Sequence, residues 1–220
     1  MRLLVISDVH ADAGSLERVL AHAERHGWDE AVFLGDAVGY GGEASAALSR
    51  LRSLPYRAAL KGNHEAMLGE LRRGRRPNAG KAIVETLAQH LEQLNAEDLG
   101  FLDSLQTVYL EDGWGAVHGA LRTPFEYLIS VPTVRSNASH MKRDVYFVGH
   151  THVPAAYLQE PGGEWRVRPF TGAAGSVKVP PGGRAFLNPG AVSLPRDGVP
   201  GSSYGIYDED GRELAIYRVS

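Results

Sequence analysis

The chain has 220 residues, 43% of them hydrophobic and 22% charged, which is enough for one large domain with a buried core. A net charge of -3 argues against a general nucleic-acid binder, which would carry a clustered basic surface. Cysteine is absent, so disulfides and thiolate metal sites are excluded, and any metal must be held by His, Asp, Glu, Asn or backbone oxygen.

Leu3 to Ile6 is short and continuously apolar, the pattern of a strand buried on both faces. Its apolar run is too short for a signal peptide, and no run approaches the roughly 20 apolar residues of a membrane span, so a cytoplasmic protein is the expectation. Asn137-Ala138-Ser139 fits the glycosylation pattern but carries no weight without a secretory signal. The first strand ends in Ser7-Asp8-Val9-His10. Past Gly14, Leu16, Val19, Leu20 and Ala23 recur at helical spacing as far as Gly27. A second apolar run, Ala31 to Leu34, ends in Gly35-Asp36 and a glycine-rich loop, Gly39-Tyr40-Gly41-Gly42. A helix over Glu43 to Leu51 and a third strand, Arg57 to Leu60, lead to Gly62-Asn63-His64-Glu65, which reads as a tight loop. Alternating strands and helices imply right-handed crossovers and a largely parallel sheet, with ligands beyond the carboxyl ends of its strands.

Ala66 to Leu105 reads as helical, with Ala82, Ile83, Leu87, Leu91 and Leu94 on one stripe and Asn95 capping a further helix. The basic run Arg72-Arg73-Gly74-Arg75-Arg76 reads as a solvated helix end and loop. Thr107 to Val117 is a hairpin turning at Asp112-Gly113, and it delivers His118-Gly119. Val145 to Val148 is another strand, ending in Gly149-His150-Thr151-His152. Strand-like segments follow near 155–158, 165–168, 185–187, 204–207 and 214–219, separated by Gly and Pro. A β-rich second half on an α/β first half suggests two packed sheets with helices outside, in one domain over residues 1–220.

Five strands thus end in metal-competent groups: Asp8 with His10, Asp36, Asn63, His118, and His150 with His152. Singly, each has a plainer explanation as a helix cap, a turn residue or a core histidine. In His150-x-His152, alternate residues of an extended segment would share a face, so that both imidazoles could reach one ion. Of the nine histidines, His22, His26, His90 and His140 fall on expected helix or loop surface and receive no role. Two Asp, one Asn and four His are too many for one tetrahedral zinc and suit two ions with open positions. If Asp36 bridges, the ions would sit about 3.5–4 Å apart, the separation used in phosphoester chemistry.

Asp8-x-His10, Gly35-Asp36, Gly62-Asn63-His64-Glu65, His118 and Gly149-His150-x-His152 resemble, motif for motif and in order, the calcineurin-like metallophosphoesterase family. Asn188-Pro189-Gly190 resembles its small bacterial and archaeal, phosphodiesterase-like branch. The resemblance implies an α/β fold: a four-layer α/β/β/α sandwich of two mixed β-sheets flanked by helices. It places Asp8, His10, Asp36 and His152 on a first metal, and Asp36, Asn63, His118 and His150 on a second. Manganese would serve in assay, with Fe, Zn, Co or Ni also suiting the ligands. His64 would contact phosphate and act as general acid, with Glu65 supporting it or its loop, while a metal-bridging hydroxide attacks phosphorus in line. The implied activity is a dinuclear phosphodiesterase, with monoesters as further substrates and a small-molecule or nucleotide-like phosphoester as partner. No membrane association or sequence-specific nucleic-acid binding is expected.

Val38-Gly39-Tyr40-Gly41 stands where protein phosphatases of the family carry a phosphate-clamping Arg, which argues against that activity; Arg122 is a candidate substitute. The alternative is a protein-interaction scaffold on the same fold, but such members typically lose ligands or the catalytic His, and none is missing. A metallo-β-lactamase type of site is disfavoured, because Val153-Pro154 follows His152 where its His-rich pattern would continue. No P-loop sequence is present either.

Overall fold

A computed structural model of the chain describes residues Met1–Ser220. In chain order the elements are β1 (Arg2–Ile6), α1 (Ala13–Glu24), β2 (Glu30–Phe33), α2 (Ala44–Arg52), β3 (Tyr56–Ala59), α3 (Asn63–Arg72), α4 (Lys81–Gln93), α5 (Ala96–Ser104), β4 (Val108–Leu110) and β5 (Trp114–Val117). Then come α6 (Val131–Ala138), β6 (Val145–Phe147), β7 (Ala155–Gln159), β8 (Trp165–Pro169), β9 (Ala174–Lys178), β10 (Arg184–Asn188), β11 (Ser202–Asp208) and β12 (Glu213–Val219).

The strands form two mixed six-stranded sheets, in the orders β3-β2-β1-β11-β12-β9 and β4-β5-β6-β10-β7-β8. In the first, β1, β2 and β3 are parallel and the rest antiparallel. In the second, β5, β6 and β10 are parallel, with β4, β7 and β8 antiparallel at the flanks. Successive side chains of a strand face opposite ways, so a strand packed on both faces must be apolar throughout. In β1, Leu4 and Ile6 pack under α1 to α5, while Leu3 and Val5 enter the layer between the sheets. In β6, Val145 and Phe147 join that middle layer, and Tyr146 packs outward with Val134 and Ala138 of α6. Three apolar interfaces therefore separate four layers, helix, sheet, sheet and helix. No helix is long and apolar enough to cross a membrane.

Several expectations are corrected. The stretch from Ala66 to Leu105 is helical except at 73–80, between the end of α3 at Arg72 and the start of α4 at Lys81, and at 94–95 before α5. Gly62 to Glu65 is a helix start rather than a free loop, with Gly62 as N-cap and its amide donating to the Glu65 carboxylate at 2.8 Å. Neither α6 nor β9 was expected. His90, expected on the surface, is buried with 1% exposure. Asn137 is also buried; it donates to Glu126 and to the Thr133 carbonyl and accepts from the Arg122 amide.

Candidate metal centre

The carboxyl ends of β1, β2 and β3 in one sheet meet those of β5 and β6 in the other, and the polar residues just beyond them converge. Asp8, His10, Asp36, His64, His118, His150 and His152 are all buried. They fall into three overlapping groups able to hold an ion: Asp8 with His10 and His152, Asp36 with His118 and His150, and His10 with Asp36 and His64. In the first group, His10 Nε2 and His152 Nε2 lie 3.1 Å apart, and Asp8 Oδ1 is 3.3 Å from His152 and 3.9 Å from His10. In the second, His118 Nε2 is 3.1 Å from His150 Nδ1, 3.2 Å from Asn63 Oδ1 and 3.4 Å from Asp36 Oδ2. Asp36 Oδ2 also lies 3.8 Å from His10 Nε2, so one oxygen stands between the groups.

His150 and His152 do not share an extended face, as had been expected. Both adopt left-handed backbone, with φ of 67° and 59°, and their rings enter different groups. Asp8, His10 and Asp36 are left-handed too, at 57°, 51° and 61°. A non-glycine residue there costs about 1–2 kcal/mol, and such strain concentrates at functional sites.

The hydrogen bonding determines what the site can accept. The Nδ1 atoms of His10, His118 and His152 face the carbonyls of Val38, Leu34 and Leu194 at 3.1, 2.9 and 2.7 Å. A carbonyl only accepts, so each Nδ1 carries the hydrogen, which leaves the inward Nε2 of a neutral ring as a lone pair; in His118, whose pKa is raised, that Nε2 holds a proton when no ion is bound. Asp8 Oδ1 is buried without a hydrogen-bond partner, whereas its Oδ2 accepts from the His150 amide. Acceptors facing acceptors call for positive charge among them, a proton on an imidazole or a metal ion. Ligands at the usual metal distance of about 2.0–2.2 Å lie about 3.0–3.5 Å from one another, close to the separations within each group.

Electrostatics point the same way. Burial opposes ionisation of Asp8, but the imidazoles of His152 and His118 close to it hold it at about 2. Burial likewise opposes ionisation of Asp36, and His118 overcomes it, so this carboxyl too stays ionised. Burial pushes His10 down to about 4; burial together with His118 does the same to His150, so both rings stay neutral. Burial opposes the charged form of His118, but the charge and hydrogen bond of Asp36, the charge of Asp8 and the Leu34 carbonyl together raise it to about 9. The centre draws a positive charge to the middle, a place a metal ion can take.

Supporting residues complete the site. Glu65 Oε1 and Oε2 accept from the amides of Asp36, Ala37, Val38 and Gly62 at 2.8–3.2 Å, tying the loop after β2 to the first turn of α3. The His64 amide donates to Asp36 Oδ1 at 2.9 Å, and its imidazole Nε2 is 4.0 Å from Asp36 Oδ2. Asn188 donates to the Gly149 carbonyl and to Thr151 Oγ1, each at 3.0 Å, bracing the turn that carries both histidines. Sequence reasoning missed His90, which bonds the glycine-rich loop, and two exposed tyrosines. Tyr40 lies edge-on to His10, and Tyr127 stacks on His150 with ring centroids 4.0 Å apart. The exposed guanidinium of Arg122 pairs with Glu126.

A model of the calcineurin-like phosphoesterase superfamily domain matches residues 1–212. The chain belongs to that superfamily. A metallophosphoesterase from Sphaerobacter thermophilus superposes with a TM-score of 0.85 at 35% identity, covering 100% of this chain and 89% of that one. The protein MJ0912 of Methanocaldococcus jannaschii is 29% identical over 99% of this chain and 86% of its own length. The protein PH1004 from Pyrococcus horikoshii shares the fold at a TM-score of 0.76 and 13% identity, over 100% of this chain and 88% of that one.

Proposed function

We propose that this calcineurin-like phosphoesterase is a dinuclear metal-dependent hydrolase of phosphodiesters, with monoesters as a further substrate class, acting through one domain over residues 1–220. The observation that carries the reading is Asp36 Oδ2, 3.8 Å from His10 and 3.4 Å from His118, standing between two groups of acceptors. Asp8, His10, Asp36 and His152 would hold one divalent ion, and Asp36, Asn63, His118 and His150 the other. Mn, Fe, Zn, Co and Ni all suit nitrogen and oxygen donors of this kind. Bound ions would supply Lewis-acid stabilisation of phosphoryl charge and lower the pKa of water at the site.

The chain's own residues do the rest. The backbone carbonyls of Val38, Leu34 and Leu194 keep three imidazoles in the tautomer that presents Nε2. Glu65 and Asn188 hold the two loops in register, so a phosphoester meets a preorganised centre. His64 is buried beside the groups, and its Nδ1 has no partner. Burial lowers its pKa, while an incoming phosphoester brings negative charge that favours the imidazolium. His64 then contacts a phosphoryl oxygen and hands its proton to the leaving alcohol.

The test is hydrolysis of an aryl phosphodiester with manganese, together with metal content. Asp36→Asn should lose metal and activity together. Asn63→Ala should weaken one of the two ions, whereas His64→Ala should keep both and lose about 10²–10⁴ in rate. Unchanged turnover in the His64 and Asp36 variants would remove the assignment.

A further inference from the structure

A cavity of about 300 Å³ opens beside the centre, between the loop after β2 and the segment before Pro195. Its walls are Tyr40 and Leu194, 43% and 45% exposed, and Gly41 and Gly42 form part of the lining. Both walls join the first group of ligands. The Tyr40 ring centroid is 4.8 Å from His10 and 4.9 Å from His64, and the Leu194 carbonyl holds His152. Two large apolar side chains thus stay partly in solvent on either side of a hollow, next to the residue placed to protonate a leaving alcohol.

We propose that this cavity is the subsite for the alcohol part of the substrate and takes a flat, uncharged group such as a nucleoside or an aryl ring. The proposal rests on the phosphoesterase reading and adds the chemistry of the group that leaves. A volume of about 300 Å³ is at the lower end for ligand pockets and suits one small group rather than an extended chain. The Tyr40 ring offers a stacking surface at one wall, and Leu194 an apolar contact at the other.

Charge decides against a second phosphate. No Lys or Arg lines the cavity, whereas Asp12 and Glu43 do. Each of these acids occupies the N-cap of a helix, α1 and α2. A helix N-terminus carries about half a positive charge, so two of them offset only part of two carboxylates, and the cavity stays net negative. A nucleoside diphosphate leaving group would be repelled there.

The test uses the manganese-loaded protein and its Tyr40→Ala, Leu194→Ala and Glu43→Lys variants. Calorimetric titration compares adenosine 5′-methylphosphate with dimethyl phosphate, two methyl diesters that differ in whether the second alcohol is a nucleoside or methanol, and hydrolysis is followed in the same samples. Wild type should bind the nucleoside diester about tenfold or more tightly, and Tyr40→Ala and Leu194→Ala should each remove most of that advantage, as expected when one stacking wall is lost. Glu43→Lys should improve the binding of adenosine triphosphate relative to the nucleoside diester severalfold. Leu194→Ala does not touch His64, so it separates loss of the subsite from disturbance of that ring. Equal affinity for the two diesters in wild type, or an advantage that survives both alanine variants, overturns the subsite. Tight, Tyr40-dependent and Leu194-dependent binding without any hydrolysis would instead overturn the phosphoesterase reading and leave the cavity as a nucleoside site.

Discussion

Between Gly39 and Gly41 the backbone is pinned by one imidazole. His90 Nδ1 accepts the Gly39 amide at 3.2 Å, and its Nε2 donates to the Gly41 carbonyl at 2.7 Å. Gly39 lies directly against His64: a Cβ there would come within 2.0 Å of His64 Nδ1, and its φ of 92° already favours glycine. Removing the His90 ring leaves one buried donor and one acceptor unpaired, each costing about 1–3 kcal/mol. His90→Ala should therefore lower the urea midpoint by an amount equivalent to about 2–4 kcal/mol and speed amide exchange at residues 39–41. His90→Gln, which can still donate to Gly41, should restore part of both. No change in exchange in the alanine variant would refute this role. The sequence placed His90 on a helix surface, although it follows Leu87 by one turn on the buried stripe. Residue type misled where spacing would have been the better guide, because a buried histidine needs partners that only the fold supplies.

At the scale of elements, the decisive junction is where α3 begins against the loop after β2. Gly62 has an ordinary negative φ, so the left-handed region is not why glycine stands there. The reason is space: a Cβ would lie 2.0 Å from Asp36 Oδ1 and 2.6 Å from its amide. Gly62→Ala should push Asp36 from its place between the two groups and cut metal affinity by about 10–100-fold, as loss of ligand support commonly does. Gly74→Ala, at a glycine with open space around its Cβ, is the control for metal content, although its φ of 69° brings a small backbone strain of its own. Equal metal content in the Gly62 and Gly74 variants would refute the steric account. The strands that feed the site were legible because burial on both faces leaves continuous apolar runs such as Leu3 to Ile6. β9 was not, since only Val177 of its residues is buried. α6 was hidden as well: it is short, begins with Val131-Pro132 and carries a polar face. The helix start at Asn63 read as a loop because Gly-Asn is also turn chemistry, and the capping carboxylate of Glu65 decides between the two only once α3 is in place.

At the scale of the whole molecule, the proposed ligands come from both sheets, so packing between the sheets and charge at their ends are one problem. Asp8, His10 and Asp36 follow strands of the first sheet, His118 and His150 strands of the second, and the middle apolar layer sets their separation. That coupling gives stability a definite dependence on pH when a chelator removes metal. His10 and His150 fall from an ordinary 6.5 to about 4 on folding. Between those values the unfolded chain takes up protons that the folded chain refuses, so stability is full above pH 6.5 and is lost as pH falls towards 4. His118 works in the opposite sense: raised to about 9, it contributes below pH 6.5 and its contribution is lost as pH rises through 9. Asp8, held at about 2, is still ionised in this range, and its contribution disappears only in stronger acid. His64 and His90, also lowered by burial, join the acid side, while Glu65, raised by burial to about 7, opposes them between pH 4.5 and 7. At about 1.4 kcal/mol per pKa unit, four histidines outweigh one carboxyl, so stability should still fall towards acid. Urea unfolding with chelator from pH 4.5 to 9 should show a maximum near pH 6.5 and a fall on the order of several kcal/mol towards pH 4.5. A flat acid limb would mean that burial does not keep these imidazoles neutral, and with it would go the argument that they stand ready as ligands.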